Sequence, residues 1–280
     1  MEEKPVYKYY KDEKEDKLSQ KIFIKIIVIF CVFYLLIMSF SVAFYHNFSY
    51  VTISGKSMQS TLNPSPVAVK TDRGTEYLQD GVYIRHTHDV DYGDIVVLDT
   101  TYPGAKRKST IIKRVIGLEG DYVTIARINN EYRVLRVRSH TSRVEVLQED
   151  YILSYSEWSG ESSEFDIVIN DVAYESTLYE YYITYGYESK TFEVDELGGK
   201  EVVFFEVEED SIFFLGDNRA HSNDGRSLGF FEKSKIEGKV IDVVKDGSNY
   251  KGNNFWWFNR LKGFFRVVWQ EILRIFGAKG

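Results

Sequence analysis

From Ile26 to Tyr45 the sequence runs for 20 residues without a charged side chain. A helix rising about 1.5 Å per residue covers roughly 30 Å over that length, the thickness of a bilayer's hydrocarbon core. The run is therefore a candidate transmembrane helix (residues 26–45), with a tail of residues 1–25 before it and a long body after it. The tail holds seven lysines (Lys4, Lys8, Lys11, Lys14, Lys17, Lys21 and Lys25), whereas residues 46–65 hold only Lys56. An excess of Lys and Arg marks the cytoplasmic side. The asymmetry predicts a single-pass protein of the cell membrane, with its N-terminus cytoplasmic and its body extracytoplasmic. Ser41-Val42-Ala43 offers a small-x-small cleavage site of the kind that ends a secretory signal. The apolar stretch, however, exceeds the roughly 7–15 residues usual for such signals, which favours a retained anchor.

The body reads as strands. Its 280-residue chain carries 21 Tyr, 19 Phe and 20 Gly against 3 Met, a balance that suits sheets better than helical bundles. Short apolar runs at Ile95–Leu98, Tyr122–Ile125, Val202–Val207, Ile212–Leu215 and Val240–Val244 are separated by Gly, Asp and Pro. Residues 149–210 differ, with eighteen Asp or Glu against Lys190 and Lys200. That shift predicts a subdomain (126–199) inserted into a core of residues 46–125 and 200–250. Such an acidic run is, by itself, more often solvated surface than a binding site. The net charge of -7 argues against a nucleic-acid partner, which needs a concentrated basic surface. The single cysteine, Cys31, excludes an internal disulfide or a cysteine metal cluster.

Near the C-terminus, Asn259, Gly263, Arg266, Gln270 and Arg274 recur at helical spacing within a largely aromatic and aliphatic segment, Phe255 to Phe276. With Arg260, Lys262, Arg266 and Arg274 against Glu271, residues 251–280 predict a basic amphipathic helix. It either lies in the membrane surface against lipid or packs on the body. The charges argue against a second crossing.

Two residues stand out for chemistry. Ser57 follows a strand-like run in Ile53-Ser54-Gly55-Lys56-Ser57-Met58, where Gly55 permits the close backbone approach that brings amide N–H groups to a developing oxyanion. A serine hydroxyl needs a base. None of the five histidines has the context of a triad, and His86-Thr87-His88 lacks the further ligands of a metal site. Lys113 lies within an apolar strand pattern, Ile111 to Ile116. Burial there disfavours its charged form, and lowering its pKa by about 2–3 units, at roughly 3–4 kcal/mol, makes it a usable base. Taken singly, each is more simply an ordinary turn serine and an ordinary strand lysine.

Together they fall into an order. Ser54 to Leu62, Gly93 to Leu98, Lys113 to Asp121, and Gly216-Asp217-Asn218-Arg219 through Ser222-Asn223-Asp224-Gly225-Arg226 resemble the four characteristic boxes of bacterial type I signal peptidases. The resemblance implies a mainly β fold: a signal-peptidase-like catalytic domain with an inserted subdomain, preceded by one transmembrane helix and followed by the amphipathic C-terminal helix. It implies a serine endopeptidase that removes signal peptides from secreted preproteins, with no cofactor and no metal. Ser57 matches the nucleophile and Lys113 the general base. Ser222 matches a hydroxyl that orients the lysine amine, while Asp217, Asp224 and Arg226 match polar residues that hold the active-site loop. The Ser57 amide is the expected oxyanion donor, and Met58 is expected to flank the substrate's small side-chain pockets.

Departures from the pattern are equally specific. Ser60 replaces a proline three residues after the nucleophile, which removes a fixed φ. Gly225 stands where a serine is common, Gly55 where some members place an assisting hydroxyl, and Pro64-Ser65-Pro66 where a Gly-Asp is expected. These changes and the acidic insertion leave two rivals open. One is an idle relative serving as an assembly factor for secreted or pilus-like proteins; the other is a protease with one dedicated client. Oligomeric state is not legible.

Overall fold

The computed structural model describes residues 13–63, 68–71, 74–77, 79–152, 155, 158, 166–247 and 256–276. Residues 1–12 of the expected tail, Pro64-Ser65-Pro66 and positions 251–255 of the expected C-terminal helix lie outside that set. The chain forms two compact units, Met1–Asn47 and Phe48–Gly280.

The first unit is helix α1 (Glu13–Asn47). Its Leu18–Asn47 stretch has a mean hydropathy of 2.8 over its most apolar window, none of which is buried by protein. A helix satisfies its own backbone hydrogen bonds, so it can sit in hydrocarbon with apolar side chains facing outward. It is long and apolar enough to cross a membrane.

Among the described residues of the second unit, sixteen short strands build two large antiparallel sheets and a two-stranded one, β2 (Ala68–Thr71) with β3 (Gly74–Tyr77). The first sheet contains β1 (Phe48–Thr52), β4 (Gly81–Arg85), β5 (Ile95–Asp99), β6 (Thr110–Leu118), β14 (Ser211–Leu215), β15 (Phe231–Glu232) and β16 (Ile236–Val244), in the order β1-β4-β16-β5-β6-β14-β15. The second contains β7 (Tyr122–Ile128), β8 (Glu131–Val137), β9 (Val144–Val146), β10 (Asp166–Ile169), β11 (Val172–Glu175), β12 (Ser189–Val194) and β13 (Lys200–Glu206).

Every apolar run read as a strand is one. β7, which spans the expected boundary at residue 126, and β13 belong to the second sheet and pair with each other. Tight turns shape that sheet. Asn129 and Asn130 (φ 50 and 69) and Asn170 and Asp171 (φ 50 and 61) take left-handed conformations, the geometry of tight hairpins that match strand twist. They fold β7 onto β8 and β10 onto β11.

The sheets share one core. Ile116, Phe213 and Leu215 from the first meet Val123, Ile125 and Phe205 from the second, with Leu178 and Tyr182 from helix α2 (Ser176–Tyr185). Tyr182 is fully buried, edge-on to Phe230, and its hydroxyl donates to the Gly225 carbonyl at 2.8 Å. That bond reaches the short helix α3 (Gly225–Leu228) and so ties the core to the loop after β14.

Helix α4 (Trp256–Ile275) packs on β16 and β4 by its polar side. Arg266 forks onto Asp242 at 2.8 and 2.9 Å, Arg260 Nε donates to the Gly247 carbonyl at 2.8 Å, and Arg85 pairs with Glu271 at 2.6 Å. Gly263 permits the approach, since a Cβ there would fall 2.5 Å from Val244 Cγ2. The helix thus does pack on the body, through a face to which the predicted polar stripe contributes Gly263 and Arg266, while Gln270 and Arg274 stay exposed.

Phe213→Ala should lower the unfolding free energy by about 3–5 kcal/mol. Its ring is fully buried against Tyr182 and Phe230, and urea denaturation of the detergent-solubilised chain reads the change.

Candidate active site

After β1 the chain turns through Ile53–Leu62. Gly55, at φ 96, opens the turn, and bonds from the Gln59 N–H to the Lys56 carbonyl (2.9 Å) and from the Leu62 N–H to the Met58 carbonyl (2.8 Å) close it. Ile53, Met58 and Leu62 anchor it from below, buried with Val82, Ile84, Val97 and Ile112. Asn63 and Asp80 lock its far end by exchanging bonds of 2.9 and 2.7 Å. Apolar anchors on both sides leave Ser57 at the crest.

Ser57 Oγ lies 2.8 Å from Lys113 Nζ, across 56 positions of sequence. Lys113 sits in β6, only 3% exposed, and its Nζ also donates to the Ile112 carbonyl at 2.8 Å. Burial pulls its pKa from 10.5 down to about 8, against the opposing pull of Asp224 and Asp217. The Ser57 N–H makes no hydrogen bond among the described residues and is free for an oxyanion.

The loop after β14 closes over this pair. The Asn218 N–H donates to the Ser57 carbonyl at 3.0 Å. A Cβ on Gly216 would meet the same carbonyl at 2.5 Å, so only glycine fits there. Charges hold the loop. Asp217 accepts from Arg114 Nε and Nη2 at 2.8 and 2.6 Å, and from the Thr61 hydroxyl. Asp224 accepts from the Gly216 N–H at 3.0 Å and from Arg226 Nε at 2.9 Å. Burial alone would raise the Asp224 pKa, but the Arg226 charge and these bonds hold it below the usual carboxylate range. Arg219 pairs with Glu149, both side chains at most 1% exposed, and Arg226 also faces Glu175 at 3.7 Å.

The residues singled out from sequence divide accordingly. Ser57, Lys113, Gly55, Asp217, Asp224 and Arg226 come together around one turn. Ser222 Oγ is nearby and buried, but it makes no hydrogen bond among the described residues, and the lysine amine bonds the Ile112 carbonyl instead. Met58 needs correction: its side chain is 2% exposed, in the core beneath the turn, and is not part of the cavity wall. His86 faces Ser49 and His88 Nδ1 meets the Lys233 carbonyl, and no group of three or more metal-ligating side chains exists among the described residues.

Two departures have structural reasons. Ser60 stands at φ 100, a value proline cannot adopt with φ fixed near −65°, and its hydroxyl donates to the Tyr151 carbonyl. The turn is held by a side-chain bond where a ring would otherwise restrict it. At Gly225 a Cβ would strike the Phe213 ring at 2.7 Å and the Phe214 carbonyl at 2.8 Å, leaving no room for serine.

Arg114, Thr61, Glu149, Tyr151 and Arg219 were not anticipated as site supports. Arg114 was visible as a charge beside Lys113 in an apolar strand. Glu149 and Tyr151 gave no local signal, because their partners Arg219 and Ser60 are 70 and 91 positions away.

A cavity of about 130 Å³ adjoins the pair, lined by Val51–Ser54, Ser57, Val97 and Thr110–Lys113. Its walls come from the end of β1, the turn after it, β5 and β6. β14 pairs with β6 only from Arg114 to Leu118, so the edge of Thr110–Lys113 on that side is open among the described strands.

A β-rich body that sets a serine hydroxyl against a buried lysine amine has the makings of a serine hydrolase. The family model described as signal peptidase, peptidase S26, matches residues 20–244. That is more than three quarters of the chain, and the chain belongs to this family: it is a serine peptidase whose relatives process preproteins bearing signal peptides. Among solved structures it is similar to a signal peptidase I from Enterococcus faecalis V583, at 20% identity over 55% of this chain and 97% of that one, with a TM-score of 0.27. No curated protein matches it.

Two substitutions probe these supports. Ser60→Pro should destabilise the fold by about 3 kcal/mol, since neither its φ nor its hydroxyl bond survives. Asp224→Asn leaves Arg226 buried and underpaired, and should cost about 3–5 kcal/mol at pH 7 by chemical denaturation. Because the Asp224 pKa is depressed in the folded state, its contribution is complete above about pH 4 and fades as pH falls through the lowered value, so the gap between variant and wild type should narrow in acid.

Proposed function

We propose that the chain is a single-pass membrane endopeptidase that removes signal peptides from secreted preproteins by a Ser57/Lys113 dyad, its N-terminus cytoplasmic and its β body outside. The observation that carries this reading is the 2.8 Å approach of Ser57 Oγ to the buried Lys113 Nζ.

When protonated, the amine donates to Oγ. Once neutral, its lone pair accepts the Oγ proton as Oγ attacks the scissile carbonyl carbon. The negative charge that develops on the carbonyl oxygen is stabilised by the Ser57 N–H. Collapse breaks the C–N bond, and the departing amine, the new N-terminus of the mature protein, takes the proton from Lys113. Lys113 then takes a proton from water, whose oxygen attacks the acyl carbon. The acid leaves and Ser57 recovers its proton.

The substrate enters extended. The free edge of Thr110–Lys113 offers backbone groups for strand addition, and Val51–Ser54 faces it across the cavity. A volume of about 130 Å³ suits small side chains, since it equals only a few water molecules at ~30 Å³ each. Asp217, Asp224 and Arg226 act as positioning residues, holding the loop whose Asn218 amide fixes the Ser57 carbonyl.

Cleavage of a model preprotein by the reconstituted full chain tests the dyad. Lys113→Ala should cut the rate by roughly 10²–10⁴-fold, and Ser57→Ala should remove it. Turnover by both variants at the wild-type rate would rule the dyad out. With the lysine pKa near 8, kcat/KM should climb about tenfold per pH unit below that value and level off above it. A rate that is flat from pH 6 to 9 would contradict the assignment of Lys113 as base.

A further inference from the structure

Helix α4 is mounted the wrong way round for a soluble protein. Amphipathic helices normally turn their apolar face to the core. Here the buried positions are Gly263 and Val267, flanked by the polar contacts of Arg260, Arg266 and Glu271. Trp257, Phe258, Leu261, Phe265, Trp269 and Ile272 face outward, each at least 39% exposed. Their steps of one, three, four, four and three form one stripe along the helix. Three polar anchors fix this orientation, so the helix cannot roll to hide the stripe without breaking them.

We propose that this face docks α4 onto the surface of an anionic phospholipid bilayer, with the helix axis lying along the membrane plane. Charge selects the occupant. The chain as a whole carries -7, yet the helix holds Arg260, Lys262, Arg266 and Arg274 against Glu271 alone. Lys262 is exposed, its Nζ 4.5 Å from the centre of the Phe258 ring, so it can meet lipid phosphates at the edge of the apolar stripe, whereas Arg274 lies on the opposite side, paired with Glu271. Indole and phenyl rings favour the boundary between headgroups and acyl chains. Position agrees with this. Arg260 stacks on Tyr50 at 4.2 Å, and Tyr50 follows the uncharged run Ile26–Tyr45 by five residues, so the covalent chain tethers α4 beside any bilayer that the run crosses. The inference rests on α1 being the anchor and adds a second, peripheral attachment for the catalytic body.

The full chain, reconstituted into phosphatidylcholine vesicles with or without phosphatidylglycerol, provides the test. Its tryptophans are Trp158, Trp256, Trp257 and Trp269. Lipids with brominated acyl chains should quench the fluorescence, more strongly when phosphatidylglycerol is present. Trp257→Phe with Trp269→Phe should remove most of that quenching. Lys262→Glu should leave the chain floating with the vesicles but abolish the gain from phosphatidylglycerol. A chain that floats without quenching, or whose quenching survives loss of both outward tryptophans, overturns the docking. Equal quenching in both lipids overturns the anionic requirement. Shielding from aqueous acrylamide that grows with protein concentration, without lipid quenching, assigns the face to a second copy instead. A chain that does not float overturns the anchor and the docking together.

Discussion

Lys113 is held between opposing demands. Its amine must stay out of water to be uncharged near neutral pH, yet the loop that encloses it brings two carboxylates, Asp217 and Asp224, which favour its charged form. Burial prevails and leaves the pKa near 8. The carboxylates are tolerable because each is already occupied. Asp217 is clasped by Arg114 and Thr61, and Asp224 by Arg226 and the Gly216 amide. Each carboxylate thus has a guanidinium of its own, and burial of the amine outweighs the pull of both carboxylates.

That arrangement explains why the loop after β14 is so densely charged in its interior. Removing ions from water is costly, and buried pairs commonly break even in stability while fixing one geometry. Here the geometry is the position of the Ser57 carbonyl under Asn218. The acidic insertion takes part, since Glu149 and Glu175 leave the solvated run to meet Arg219 and Arg226. The second sheet is therefore a brace for the site as well as an appendage.

Much of this was legible in the chain itself. Short apolar runs between Gly, Asp and Pro marked the strands, and those such as Ile212–Leu215 are continuous because the strand is buried on both faces. The uncharged stretch marked the helix, and the Ser57 and Lys113 boxes marked the pair. What stayed hidden depends on long-range packing. The resemblance implied that Met58 flanks the substrate pockets, whereas the turn directs its side chain into the core. Ser60 looked like a lost constraint, whereas its φ of 100 and its bond to the Tyr151 carbonyl make it a different constraint. No local pattern pairs Glu149 with Arg219. The polar stripe of the C-terminal helix was visible, but not that its Gly263 and Arg266 would face the body.

The edge of Thr110–Lys113 left open among the described strands has a wider implication. A strand edge recognises the repeating amides and carbonyls that every polypeptide shares, so it grips by shape of backbone and not by message. A client that has already folded has spent those groups on its own sheets and helices. In the proposed binding mode, cutting and folding become competitors in time: a segment that stays slack as it leaves the bilayer is caught, and one that compacts first escapes.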